Sequence, residues 1–245
     1  MRIRKSTYIL PSAFTSGNLF CGFFSIISTM RGELMLSCWL IVMAALLDFI
    51  DGKVAMFSGT SSRFGVELDS LADLVSFGVA PAVIMYQFFL RSHGEWSWMI
   101  AFLFTLCGAL RLARFNVETK GPDKTAFKGL PIPMAASGLI SFVPFSRTLF
   151  FQTHLASLPY NRFLVFMILL LAGLMVSTVE YPSMPRFKLD SFTGKLGLAI
   201  FALTGLVVLF FWQLILFPAV FLYVCFGIGR AILAGAVPRS PERHP

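Results

Sequence analysis

Long apolar runs separated by short polar breaks divide the chain from residue 9 to residue 235. A helix needs about 20 apolar residues to cross a bilayer. Runs near that length fall at 9–30, 34–57, 66–90, 96–117, 131–152, 162–178, 195–211 and 214–235, the last two separated only by Trp212 and Gln213. The pattern predicts an all-α, polytopic transmembrane bundle of eight spans. The 28 Phe residues are spread through these runs as lipid-facing bulk.

Composition narrows the class. The 245 residues are 57% hydrophobic and 13% charged, with a mean hydropathy of +0.79, whereas soluble domains carry about 25% charged residues. That excludes an ordinary soluble globule, a disordered chain and a disulfide scaffold. Eight spans of about 20 residues leave roughly 85 residues for loops and tails, too few for a separate soluble domain. Residues 1–245 are therefore expected to form a single membrane-embedded domain.

The net charge of +8 would suggest a nucleic-acid partner in a soluble protein. In a membrane chain it reports loop charges that set orientation, so no nucleic-acid partner is expected. With eight spans both termini share one side, and 16 of the 20 basic residues fall there; Arg31, Arg91, Arg147 and Arg162 fall on the other. The positive-inside rule then puts both termini in the cytoplasm, as expected of a multi-pass protein of the cell membrane. The basic start, Met1 to Lys5, precedes an apolar stretch with no A-x-A ending and with Thr15, Ser16 and Asn18 inside it, which reads as a retained helix and not a cleaved signal. Cys21, Cys38, Cys107 and Cys225 sit in apolar runs without metal-ligand spacing, and His93, His154 and His244 are scattered.

Four of the six aspartates lie between positions 48 and 73, at the end of the second run and the start of the third. A charge inside a span costs a few kcal/mol, so four together require neutralisation. Asp48 and Asp51 are i,i+3 on one helix, and Asp69 and Asp73 are i,i+4 on the next, so each pair projects from one face. An antiparallel hairpin apposes the two faces. Oxygen-only ligands suit hard divalent cations such as Mg²⁺ or Mn²⁺, and two ions would balance four carboxylates. Gly52, Ala55 and Gly65 keep the surroundings small enough for close approach.

The stretch DFIDGKVAMFSGTSSRFGVELDSLAD resembles the signature of the CDP-alcohol phosphatidyltransferases, D-x-x-D-G-x-x-A-R, eight residues, then G-x-x-x-D-x-x-x-D. Asp48, Asp51, Gly52, Ala55, Gly65, Asp69 and Asp73 match in type and spacing; Met56 stands where the pattern has Arg. Either Lys53 or Arg63 takes over that arginine's hold on phosphate, or metal holds the diphosphate. PSAFTSGNLFCG, SFGVAPA from 76, GALRLARFNV from 108, KGLPIPMAA from 128 and LMVSTVEYPSMP from 174 are similar to the phosphatidylserine synthase branch of that family.

The resemblance implies transfer of the phosphatidyl group of CDP-diacylglycerol to L-serine, with release of CMP and two divalent ions at the aspartates. It implies Asp48, Asp51 and Asp69 as main metal ligands, Asp73 as general base and further ligand, a six-helix catalytic core with the spans at 195–235 peripheral, a cytoplasmic site open to membrane lipids, and a homodimer. Gly52, Lys53, Ala55, Arg63 and Gly65 then fall at the CDP end. Thr15 and Asn18, i,i+3 in the first span, either hydrogen-bond another helix or contact the nucleotide. Arg111 and Arg114 share a face at the end of the fourth span; on residue chemistry alone they would snorkel to headgroups, and the resemblance turns them towards the serine carboxylate, with Asn116 and Lys128 nearby. The alternatives are another acceptor (glycerol phosphate, inositol phosphate or choline) and, more remotely, a cation transporter.

Overall fold

The structure is a computed structural model that describes residues 9–58, 63–118, 127–155, 157, 160–181 and 212–230. The first two runs become α1 (Ile9–Met30) and α2 (Leu34–Ser58), packed as an antiparallel hairpin. Gly32, at φ +81°, makes the turn. Its N–H bonds Thr29 O at 3.0 Å and the N–H of Glu33 bonds Ser28 O at 2.9 Å, the pair of bonds that ends a helix through a left-handed glycine.

The third run is helical from end to end but not uniform. α3 (Arg63–Asp73) passes through a π-helical stretch, Leu74–Val79, into α4 (Ala80–Phe88). Ala80 N–H reaches back to Val75 O, five residues, where an α-helix bonds four back. α5 (Trp98–Glu118) follows and crosses this stretch where Gly108 meets Gly78. A Cβ on Gly108 would lie 2.7 Å from Ile132 Cδ1. Thr105 Oγ1 donates to Gly78 O at 3.2 Å.

The fifth run, expected to be continuous over 131–152, is two helices: α6 (Ile132–Ser146) and α7 (Leu149–His154). Pro144 lies in the last turn of α6; its missing N–H releases Ile140 O, which accepts from Cys38 Sγ at 3.5 Å. Thr148 then starts α7, its side chain accepting from Phe151 N–H. α6 is buried along nearly its whole length, which accounts for its apolar character on all sides. α8 (Tyr160–Val176) packs against α5 and α6.

A short antiparallel ladder was not expected: β1 (Phe127–Lys128) pairs with β2 (Glu180–Tyr181). The predicted seventh span, 195–211, lies outside the described residues, and the eighth appears as α9 (Trp212–Arg230). α9 places Trp212 4.5 Å from Trp39 and Phe217 5.3 Å from Phe142, ring centre to ring centre. Tyr181 of the ladder lies directly over Gly227, where a Cβ would come 2.7 Å from the ring carbon Cδ1.

Among the described residues, five helical stretches are long and apolar enough to span a bilayer: Ala13–Met30, Leu34–Val54, Phe64–Phe88, Glu95–Glu118 and Trp212–Arg230. Ile132–Ser146 and Tyr160–Val176 are shorter apolar helices. Large side chains such as Phe20, Phe23, Phe102 and Phe166 are exposed along these helices, as lipid contact requires. The protein is a multi-pass, helical membrane protein.

Candidate active site

The site forms where α2 and α3 bring their aspartates together beside α1. Asp48, Asp69 and Asp73 each offer a carboxylate oxygen, and these oxygens all lie within 4.8 Å of one another. The i,i+4 spacing carries Asp69 and Asp73 onto one face of α3, and α2 presents Asp48 to them. Among the described residues no lysine or arginine forms an ion pair with these three; Arg111 attracts Asp73 from a longer distance. Three close carboxylates at the end of membrane helices fit a hard divalent cation by both charge and ligand type.

Asp51 stands beside this group, within electrostatic reach of Asp48 and Asp69. It is buried, and Thr15 Oγ1 of α1 donates to its Oδ2. The other oxygen, Oδ1, is buried with no hydrogen-bond partner among the described residues. Three residues further along α1, Asn18 Nδ2 donates to Asp73 Oδ1 at 3.0 Å. One face of α1 therefore holds an aspartate from each arm of the hairpin. Asn18 is fully buried, its Oδ1 also lacks a partner, and its main-chain oxygen accepts from Ser76 Oγ at 2.9 Å. Gly22 permits that approach: a Cβ there would sit 2.7 Å from Ser76 Cα.

The two arginines of α5 have different surroundings. Arg111 is buried, its Nε has no hydrogen-bond partner among the described residues, and it interacts electrostatically with Asp73. Arg114 turns to the end of α8, where Nη1 donates to Val176 O at 2.9 Å and Nη2 to Ser177 O at 3.1 Å. A guanidinium at a helix C-terminus satisfies orphan carbonyls and opposes the helix dipole. Gly129 passes against the same place at φ +85°, and a Cβ there would come 2.8 Å from Arg114 Nη2. Its N–H bonds Val179 O, and Leu130 N–H bonds Leu174 O. The segments beginning at 108, 128 and 174 thus meet in one clasp.

Asn116 bridges α5 to α3, donating through Nδ2 to Ser70 Oγ at 3.0 Å and to Glu67 Oε2 at 3.3 Å. Lys128 belongs to the ladder, and its side chain lies outside the described residues; so do the side chains of Ala55, Met56 and Arg63. Gly52 is exposed, and a Cβ there would meet nothing within 4 Å. Lys53 is exposed with Nζ 5.3 Å from the centre of the Phe49 ring, and Gly65 is half-buried. Sequence reasoning missed Ser76 and Gly22 as supports of the site. Their signal was spacing: Ser76 follows Asp73 by three residues, and Gly22 follows Asn18 by four, so each lies one turn along the same face.

The sequence profile of the CDP-alcohol phosphatidyltransferases matches residues 8–181, a stretch that contains α1, the aspartate hairpin, both arginines and the clasp. The chain belongs to the CDP-alcohol phosphatidyltransferase family. It is 38% identical over 181 residues to a CDP-diacylglycerol–serine O-phosphatidyltransferase of Helicobacter pylori, covering 74% of this chain and 75% of that one. It is 38% identical over 178 residues to the protein of that name from Methanocaldococcus jannaschii, covering 72% and 79% of the two chains. An archaetidylserine synthase of Methanothermobacter thermautotrophicus is 36% identical over 175 residues, covering 71% and 69%.

Proposed function

We propose that the protein transfers the phosphatidyl group of CDP-diacylglycerol to the hydroxyl of L-serine, forming phosphatidylserine and CMP. The observation that carries the acceptor assignment is the placement of Arg111, buried beside Asp73 with Nε unpartnered. A guanidinium at that point can read the serine carboxylate in bidentate fashion while the adjacent carboxylate faces the serine hydroxyl. The similar proteins differ in the lipid their names give and share serine.

In this reading Asp73 accepts the proton of the serine hydroxyl as its oxygen forms the new bond to phosphorus. The bond between that phosphorus and the bridging oxygen of the diphosphate breaks, and CMP departs with the bond electrons. Asp48, Asp69 and Asp73 would hold divalent metal, with Asp51 adjoining them. Bound Mg²⁺ or Mn²⁺ supplies charge stabilisation at the diphosphate. Gly52 leaves the approach open, and Lys53, Arg63, Ala55 and Gly65 border the nucleotide end. Arg114 and Asn116 act at one remove, by tying α5 to α8 and to α3. The excess of basic residues on the side of the termini supports a cytoplasmic site.

The test is CMP release from CDP-diacylglycerol by purified protein offered L-serine, glycerol 3-phosphate, inositol phosphate or choline in turn. Phosphatidylserine formed from serine alone is the expected result. Turnover with a phosphorylated alcohol and none with serine would overturn the acceptor assignment while leaving the family chemistry intact.

A further inference from the structure

The geometry assigns to Asn18 the role of a positioning residue for Asp73, an inference that rests on the reading of Asp73 as the base for the acceptor. A nucleotide contact would leave the Asn18 amide directed into the donor pocket. One of its two N–H donors is instead given to Asp73 Oδ1 at 3.0 Å. The main chain of the same residue is pinned by Ser76 Oγ at 2.9 Å, and Gly22 keeps α1 close enough for that bond. Ser76 lies in the first turn of the π-helical stretch that begins directly after Asp73. Asp73 is thus fixed from both directions, through its own backbone by the helix and through its carboxylate by α1.

The two oxygens of Asp73 become unequal. Oδ1 accepts from the amide, so Oδ2 is the oxygen better placed to meet the acceptor hydroxyl, while a carboxylate oxygen, with two lone pairs, can still serve the neighbouring carboxylate cluster. A carboxylate free to rotate would offer two equivalent oxygens in many orientations, and proton transfer requires one within hydrogen-bond reach of the hydroxyl. Thr15 repeats the device one turn earlier by holding Oδ2 of Asp51, so the polar face of α1 orders carboxylates from both arms. Asn18 acts through Asp73 and does not touch the reacting atoms.

The experiment measures kcat at saturating CDP-diacylglycerol and acceptor, together with the Kd for CDP alone, in Asn18→Asp, Asn18→Leu and Ser76→Ala. Loss of a hydrogen bond to a charged group predicts a fall in kcat of about 10- to 100-fold for both Asn18 variants, with Kd for CDP changed less than about 3-fold. Ser76→Ala keeps the amide and weakens its mounting, so kcat falls less and with the same signature. A tenfold or greater rise in Kd for CDP with kcat restored at saturation makes Asn18 a nucleotide contact and overturns the proposal. So does an unchanged kcat in Ser76→Ala, a readout that survives if the Asn18 variants fail to fold. In the Asp73→Asn background Asn18→Leu should cost less than about 3-fold more, because interacting sites are not additive; a full additional loss means that Asn18 acts elsewhere. The wild type is assayed with the same panel of alcohols, so failure of serine as acceptor appears in the wild type, and failure of the positioning role appears only in the variants.

Discussion

At the turn end of the α1–α2 hairpin, Ser25 Oγ donates to Ser37 O at 2.9 Å, Thr29 Oγ1 to Ser25 O at 2.8 Å and Ser37 Oγ to Glu33 O at 3.1 Å. At the aspartate end of the same two helices, Asp51 Oδ1 and Asn18 Oδ1 are buried without hydrogen-bond partners among the described residues, and Arg111 Nε of α5 shares that condition. Both ends bury polar side chains in a membrane protein, where an unsatisfied group is expensive. The hydroxyls at the turn are satisfied mostly by main-chain oxygens, and the bonds from Ser25 Oγ to Ser37 O and from Thr29 Oγ1 to Ser37 Oγ tie the two helices together, with Ser28 Oγ the exception among them. The aspartate end leaves its groups unanswered beside clustered carboxylates. Unanswered polar atoms beside concentrated charge distinguish a site from a seam.

That contrast breaks first on metal. Protein stripped with EDTA should lose all activity and regain it with Mg²⁺ or Mn²⁺, because the close carboxylates of Asp48, Asp69 and Asp73 have no cationic partner among the described side chains at ion-pair distance. Full turnover in metal-free buffer would refute the metal role of the cluster. Asp73→Asn should lower kcat by roughly 10² to 10⁴ and spare CDP-diacylglycerol binding relative to Asp51→Asn. An equal collapse of donor affinity in both would make Asp73 chiefly a ligand.

The two arginines sharpen the comparison. Arg111→Lys keeps charge and loses the fork, so serine KM should rise about 10-fold to 150-fold, the equivalent of a charged hydrogen bond. Arg114→Lys should lower thermal stability by loosening the clasp on α8 and move serine KM little. Kinetics that respond to Arg114 and ignore Arg111 would reverse the assignment. The smallest effect belongs to the turn end: Ser37→Ala should cost about 0.5 to 1.5 kcal/mol, read as a lowered melting temperature in detergent, with kcat unchanged.

Much of this was legible in the sequence. Apolar run length located α1 and α2 closely, and i,i+3 and i,i+4 spacing put the aspartates on apposed faces. Spacing fixes which residues share a face but not how far that face is rotated. It therefore did not separate Asp51, held by Thr15, from the trio formed by Asp48, Asp69 and Asp73. The alternatives for Thr15 and Asn18, another helix or the nucleotide, needed three dimensions to compare. Arg111 and Arg114 looked equivalent because the partner of Arg114 lies on a helix end more than 60 residues away. The break after Ser146 has a local cue in Pro144 and Thr148, masked by the continuous apolar character around them.

The π-helical stretch after Asp73 also bears on how the third span can change. Each residue of an α-helix advances it by about 100°, and a π turn holds one residue more than the α turn it replaces. Deleting a residue between Leu74 and Val79 would let the stretch relax to α-helix and turn one half of the span by about 100° against the other. Asp69 and Asp73 would keep their bearing only if Ala80, Ala82 and Ile84, buried in the other half, swung away from their neighbours. The extra residue acts as a phase adjuster that lets one continuous helix aim its acids by the needs of chemistry and its apolar side by the needs of packing.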